Sequence, residues 1–285
     1  MYTSYYGMNS NPFLKETNTK YAYQSEDYNQ IINRLEYLKE IKGIGLFTGS
    51  PGLGKTFILR SFIDKLNKDL YKIIYISATK NSVYDFFKMI ASSLDIDAGV
   101  CYKTELYKKI QAEIIRLVKI ERIQPIIIID DAQNLSRDIL TEMKVLFDFE
   151  MDSKDYTMIA LVGYPELKEE LQKNIYNSLT QRILVNYSMN GLSREETKEY
   201  LTTRLALAGV NNEIFTEDAL NSLYSCSKSS PRRLNTLVLN SLLLGCQHKC
   251  LKIDSSIVML GKEEMDLKWF MIMIIFMKKI IIEWH

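Results

Sequence analysis

The sequence predicts an α/β fold: a three-layer sandwich about a central parallel sheet, followed by a small all-helical domain. Three observations carry this. Short apolar runs alternate with helix-period segments between residue 25 and about 190, the pattern of strands joined by crossover helices. Ile126-Ile127-Ile128-Ile129 places four β-branched residues in a row, as in a strand buried on both faces. Beyond about residue 190 the strand signal stops and helix signals continue alone.

Taken in order, Ser25 caps a helix over 25–42, with Glu26 and Asp27 in its first turn and Ile31, Leu35 and Leu38 on one face. Ile44-Gly45-Leu46-Phe47-Thr48 is the first strand and Lys72–Ser77 the second. Ser82 starts a helix through Leu94, and Thr104 another through about Glu121. Pro125–Asp131 is the isoleucine strand, and Ser136 caps a helix over 136–150. Met158–Gly163 is a further strand, Pro165 opens a short helix at its first position, and Ile183-Leu184-Val185 is the last strand. Ser193-Arg194-Glu195-Glu196 reads as a capping box whose helix Gly209 closes, with helices near 216–227 and 231–247 after it.

The tail differs from the rest. Trp269–Met277 is apolar and is followed by Lys278 and Lys279. A bilayer span needs about 20 apolar residues, and two lysines inside the run argue further against one. An added amphipathic or buried helix is expected here, with an interfacial anchor or a non-native end as alternatives. No stable membrane insertion is expected.

Composition narrows the function classes. Of 285 residues, 47% are hydrophobic and 25% charged, ordinary for a globular chain. The net charge of +1 does not announce a nucleic-acid binder, so any such surface has to be a local patch. Lys103, Lys108 and Lys109, and Arg232 with Arg233, are the candidates, against the plainer alternative of a solvated face. The first 20 residues contain no apolar signal core and the cysteines are four, so a reducing cytoplasm is expected. With two histidines in all, a Ser-His-Asp catalyst is disfavoured. Cys246, His248 and Cys250 lack the second ligand pair that a metal site needs.

One motif carries chemistry. Gly49-Ser50-Pro51-Gly52-Leu53-Gly54-Lys55-Thr56 is a complete phosphate-binding loop, led in by the first strand and led out by a helix that continues from Phe57. Its glycines let backbone N–H groups turn inward around an anion. Lys55 can reach β- and γ-phosphates, the Thr56 hydroxyl can ligate Mg²⁺, and the helix adds its positive dipole end. About 75 residues later Asp130 ends the isoleucine strand, where nucleotide hydrolases hold the same Mg²⁺. Asp131 follows and can polarise an attacking water, although it is shorter than Glu by about 1.5 Å. The alternative is that both aspartates merely cap the next turn. ATP and Mg²⁺ are thus the expected cofactors, and the fold class becomes a P-loop NTPase. Its expected domains are a nucleotide-binding α/β domain over 1–190, a helical lid over 191–262 and the apolar extension over 263–285.

An ordered set of further motifs resembles the AAA+ ATPases, specifically the ExeA/TnsC-like group, over roughly residues 5–260. It comprises Tyr5-Tyr6-Gly7-Met8-Asn9-Ser10-Asn11-Pro12-Phe13, Arg34–Leu38, Asp130-Asp131-Ala132-Gln133-Asn134-Leu135, Leu161–Leu167, Gln181-Arg182-Ile183 and Ser230–Asn235. The resemblance implies that Asn11, Pro12 and Phe13 lie near the nucleotide base and that Asp131 stands where the group carries Glu. It also implies that Arg182 is the arginine finger offered to a neighbour's γ-phosphate, and that Arg232 is the sensor arginine of the lid. Both arginines suit phosphate oxygens, because a guanidinium gives bidentate contacts. A surface ion pair for Arg182 and a helix N-terminal charge for Arg232 are the alternatives. Tyr164 stands where the group often has a polar Gln. Tyr2, Tyr5, Tyr6, Tyr21 and Tyr23 suggest base stacking, but packing against the core is expected.

The resemblance implies an ATP-binding and ATP-hydrolysing homo-oligomer, ring or filament. In this expectation it is a regulator bound to double-stranded DNA that recruits or activates a transposase. Two alternatives stand beside it: an ExeA-like secretion-assembly ATPase, and a nucleotide switch with little hydrolysis. Secretion members continue into a membrane span and a wall-binding domain. The sequence stops at 285 with neither, which places the transposition expectation first.

Overall fold

The computed structural model describes residues 2–14, 18–97, 99, 102–146, 149 and 155–265. These form two compact units. One comprises Glu26–Pro51 and Lys55–Met189; the other comprises Met1–Ser25, Gly52–Gly54 and Asn190–His285, as far as described.

The first unit is built on five strands: β1 (Gly43–Thr48), β2 (Tyr71–Ser77), β3 (Gln124–Asp130), β4 (Met158–Gly163) and β5 (Ile183–Ser188). All pair in parallel, in the order β2-β3-β4-β1-β5. The register aligns Ile74, Ile127, Ile159 and Ile44 in one row across four strands, and each is fully buried. Fully burying one such side chain stabilises by about 1.5–3 kcal/mol, so the row fixes register strongly: a one-residue slip would turn every isoleucine to the other face. Because the strands are parallel, their carboxyl ends share an edge. Thr48 pairs with Gly163 and Ser188, and Ser77 with Asp130. Open α/β sheets bind ligands along that edge.

Helix boundaries follow the caps. Ser82 accepts from the Asp85 amide at the start of Val83–Ser93, Ser136 accepts from the Ile139 amide, and Pro165 sits in the first turn of Pro165–Leu171. Two expectations need correction. Thr104 is not a cap: Tyr102 is, so the helix Lys103–Arg116 begins two residues earlier than a Thr104 cap would set, with the Tyr102 carbonyl taking the Glu105 and Leu106 amides. It then widens into a π turn over Leu117–Glu121, which Arg122 closes at φ 61. The helix from Ser136 is regular only over Arg137–Glu142 and tightens into a 3₁₀ turn at Met143–Leu146; much of the remainder to 150 lies outside the described residues.

The second unit is helical. Arg194–Leu207 opens with the full capping box, Ser193 and Glu196 each bonding the other's backbone amide. Glu217–Ser227, Pro231–Gln247 and a helix over 255–265 follow. Leu201, Leu223, Leu237, Leu242 and Val258 form its core, together with Tyr6, Met8 and Phe13 from the N-terminal segment. The Tyr6 hydroxyl donates to the Cys250 carbonyl at 3.0 Å. Tyr2, Tyr5 and Tyr23 also pack there, whereas Tyr21 is exposed. Among the described residues no helix is long and apolar enough to cross a membrane. The apolar tail lies outside the described residues beyond 265.

Candidate nucleotide and magnesium site

The loop between β1 and the helix Lys55–Lys65 turns through Gly52 at φ +85 and Gly54 at φ +96. This is the left-handed region, where a side chain is strained. A Cβ at Gly54 would meet nothing within 4 Å, so backbone conformation, not crowding, demands this glycine. Gly52–Gly54 group with the helical unit. The Gly52 carbonyl accepts from Ser230 Oγ at 3.2 Å and from the Arg232 amide at 3.3 Å. Ser230 is also the N-cap of Pro231–Gln247. The backbone of Arg232 thus touches the loop crest, while its side chain is exposed.

Lys55 is 8% exposed. Its Nζ donates to the Gly49 carbonyl at 2.5 Å and the Ser50 carbonyl at 3.1 Å, and lies 4.7 Å from the Tyr164 ring centroid. A buried ammonium needs such partners, and an aromatic face attracts it further.

Beside it, Thr56 Oγ1 donates to Asp130 Oδ2 at 2.6 Å. The same oxygen accepts the Tyr75 hydroxyl at 2.9 Å, while Asp130 Oδ1 accepts the Asp131 amide at 2.9 Å. Asp130 is 3% exposed. Burial, reinforced by the neighbouring Asp130 carboxylate, pushes the Tyr75 phenol above its ordinary value, so it acts as a donor. A hydroxyl and a carboxylate meeting next to a phosphate loop are the hard oxygen donors that Mg²⁺ prefers.

Asp131 has φ 54, a conformation that Asp tolerates better than most residues and that recurs at functional sites. Its Oδ1 accepts from Gln133 Nε2 at 3.2 Å, and Gln133 Oε1 accepts from the Tyr164 amide at 3.0 Å. Gln133 therefore bridges the end of β3 to the end of β4. The motif containing Gln133 was legible in the sequence; this bridge was not. Tyr75 was missed altogether, although strand alternation places it opposite the buried Ile74 and Ile76, two residues before the partner of Asp130.

Four of the sequence-derived residues thus converge: Lys55, Thr56, Asp130 and Asp131. Arg182 does not join them. It precedes β5, where Ile183 pairs with Ile44 and the Arg182 carbonyl takes the Ile44 amide, at the end of the sheet away from the loop. Phe57 is half-buried with the Arg60 guanidinium 5.5 Å from its ring centroid. Phe13 lies in the helical core, and Asn11 Oδ1 accepts its amide at 3.0 Å. The Lys103–Lys109 cluster is not a bare positive patch, since Lys103 pairs with Glu142 at 2.6 Å and Lys109 with Glu105 at 3.2 Å.

A parallel five-stranded sheet with a phosphate loop after β1 and an acidic pair at the end of β3 defines the P-loop NTPase fold in its AAA+ form. Residues 39–171 match the family described as AAA domain. General secretion pathway protein A of Aeromonas hydrophila is 30% identical over 248 residues, covering 85% of this chain and 44% of that protein. The chain thus spans under half the length of this curated relative. Among solved structures, Cdc6p from Pyrobaculum aerophilum aligns with a TM-score of 0.62 and 16% identity, covering 85% of this chain and 67% of its own. The Aeropyrum pernix ORC1 protein in complex with DNA aligns with a TM-score of 0.60 and 18% identity, covering 89% and 68%. At these identities the likeness is one of fold.

Proposed function

We propose that this chain binds ATP with Mg²⁺ and hydrolyses it, acting as a homo-oligomer. The observation that carries this is the meeting of Thr56 and Asp130 beside the phosphate loop. Loop amides and Lys55 would hold the β- and γ-phosphates, with the ammonium exchanging the Gly49 and Ser50 carbonyls for phosphate oxygens. Thr56 and Asp130 would hold Mg²⁺, which when bound neutralises charge on those oxygens. Asp131 orients a water and takes its proton as the water oxygen attacks the γ-phosphorus and the bond to the β–γ bridging oxygen breaks. Arg182, remote from its own loop, would serve a neighbouring subunit, and Arg232 would report the γ-phosphate from the helical unit. Asn11, Pro12 and Phe13 remain proposed as base-side residues. The test is phosphate release from ATP with Mg²⁺ and with EDTA. No metal-dependent release, together with no nucleotide binding, would end this proposal.

Two settings compete for that activity. In one, the protein regulates a transposase on double-stranded DNA; the motif resemblance supports it, as does the fold shared with a protein solved in complex with DNA. In the other it is a secretion-assembly ATPase, supported by 30% identity to General secretion pathway protein A. With 44% of that relative covered, the point at which the sequence stops gives no ground for preferring the first. The secretion setting has the stronger support. Hydrolysis measured with and without double-stranded DNA separates them: stimulation that falls steeply with salt favours the DNA setting, and indifference favours secretion. A cytoplasmic location fits either setting and stays part of the proposal.

A further inference from the structure

Three donors from three separate elements hold the Asp130 carboxylate: the Thr56 hydroxyl, the Tyr75 hydroxyl and the Asp131 amide. Two of them share Oδ2. They are not equivalent, because the Thr56 oxygen is itself a proposed Mg²⁺ ligand. A hydroxyl ligates a cation through a lone pair and keeps its proton for Oδ2, so Thr56 has two duties in the site. The Tyr75 hydroxyl carries no second duty in the site. It reaches Asp130 from a partly exposed ring on β2, the neighbouring strand.

We propose that Tyr75 is a positioning residue for the magnesium site, fixing the orientation of the Asp130 carboxylate through Oδ2 while Thr56 also serves the cation. This rests on the assignment of Thr56 and Asp130 as the metal-holding pair. Groups that hydrogen-bond a ligating carboxylate fix its geometry, and losing one weakens metal affinity by about 10–100-fold. Removing only the Tyr75 hydroxyl therefore weakens the metal, not the nucleotide.

The experiment compares the wild-type chain with Tyr75→Phe, which keeps the ring. Binding of a fluorescent ATP analogue is measured in EDTA, and Mn²⁺ is then titrated calorimetrically into the protein saturated with a non-hydrolysable ATP analogue. The expected result is unchanged metal-free nucleotide affinity with Mn²⁺ bound about tenfold more weakly by the variant. Equal or tighter Mn²⁺ binding by Tyr75→Phe, with normal binding by the wild type, overturns the role of Tyr75 alone. Equal loss of nucleotide and metal in the variant also overturns it, since that is the mark of a merely structural residue. A wild-type chain that binds neither analogue nor Mn²⁺ overturns the parent assignment and this role with it.

Discussion

Thr56 Oγ1 and Asp130 Oδ2 stand 2.6 Å apart although 74 residues separate them in sequence. The first turn of the helix after β1 and the last residue of β3 are held together because parallel strands bring their carboxyl ends to one edge. Asp130→Asn preserves the shape of the side chain and removes its charge. The variant should fold, bind nucleotide in EDTA, and lose the gain in affinity that Mg²⁺ gives the wild type, with phosphate release down by about 100-fold. Titrating Mg²⁺ against a fluorescent ATP analogue measures this. An Mg²⁺ dependence identical to wild type would remove Asp130 from the metal.

Asp131 is the acid proposed to take a proton. Asn tolerates the same left-handed backbone as Asp, so Asp131→Asn tests chemistry without adding strain. Nucleotide binding should persist while steady-state phosphate release falls by about 100-fold or more, the usual contribution of a positioned base. Asp131→Glu restores the reach of the longer side chain and should turn over at least as fast as wild type. If Asp131→Asn hydrolyses normally, the base lies elsewhere.

How far the sequence announced this site depends on distance along the chain. Lys55 and Thr56 are neighbours in an eight-residue motif whose backbone demands are local, so residue types alone expose them. Asp130 was legible because four isoleucines define its strand. Tyr75 and the Gln133 bridge depend on strand register and on which strand lies beside β3, and neither leaves a mark on local periodicity. The packing of Tyr6, Met8 and Phe13 with the C-terminal helices is hidden for the same reason. Thr104 misled because a hydroxyl residue near a helix start is only a cap when the chain enters the helix there, and here Tyr102 provides the entry.

The capping box at Ser193 and Glu196 offers a stability test away from the site. Ser193 is exposed, so truncation opens no cavity. Ser193→Ala leaves the Glu196 amide without its side-chain acceptor, while the backbone amide of residue 193 keeps its bond to the Glu196 carboxylate. The loss should be about 1 kcal/mol. Urea unfolding, followed by circular dichroism, should show a lower midpoint with the slope unchanged.

Glu142 supplies a pH test. Burial alone would raise its carboxyl, but hydrogen bonds from Lys103 and Tyr107 outweigh that and hold it below the ordinary value. Its folded-state value therefore lies under its unfolded one. The stability it contributes is complete above about pH 4.5 and is lost as pH falls through the folded value. Glu142→Gln should be less stable than wild type at pH 7, and the gap between the two should close as the medium is acidified below pH 4.5. A gap that stays constant down to pH 3 would mean that the pair contributes nothing through charge.

Arg182 sits at the end of the sheet away from its own phosphate loop, a position suited to service in a neighbouring subunit. Arginines supplied across an interface speed phosphoryl transfer by about 10³–10⁵. Arg182→Ala should bind ATP normally and lose most of its hydrolysis. The decisive measurement mixes two silent variants. Arg182→Ala has an intact loop and base but no finger to offer, whereas Asp131→Asn has the finger but no base. In a mixed oligomer, an Asp131→Asn subunit offers its arginine to the intact site of an Arg182→Ala neighbour. Phosphate release should therefore reappear on mixing and pass through a maximum as the ratio is varied. An arginine that acted within its own subunit, or only in a surface ion pair, could produce no such recovery, and the mixture would remain as inactive as its parts.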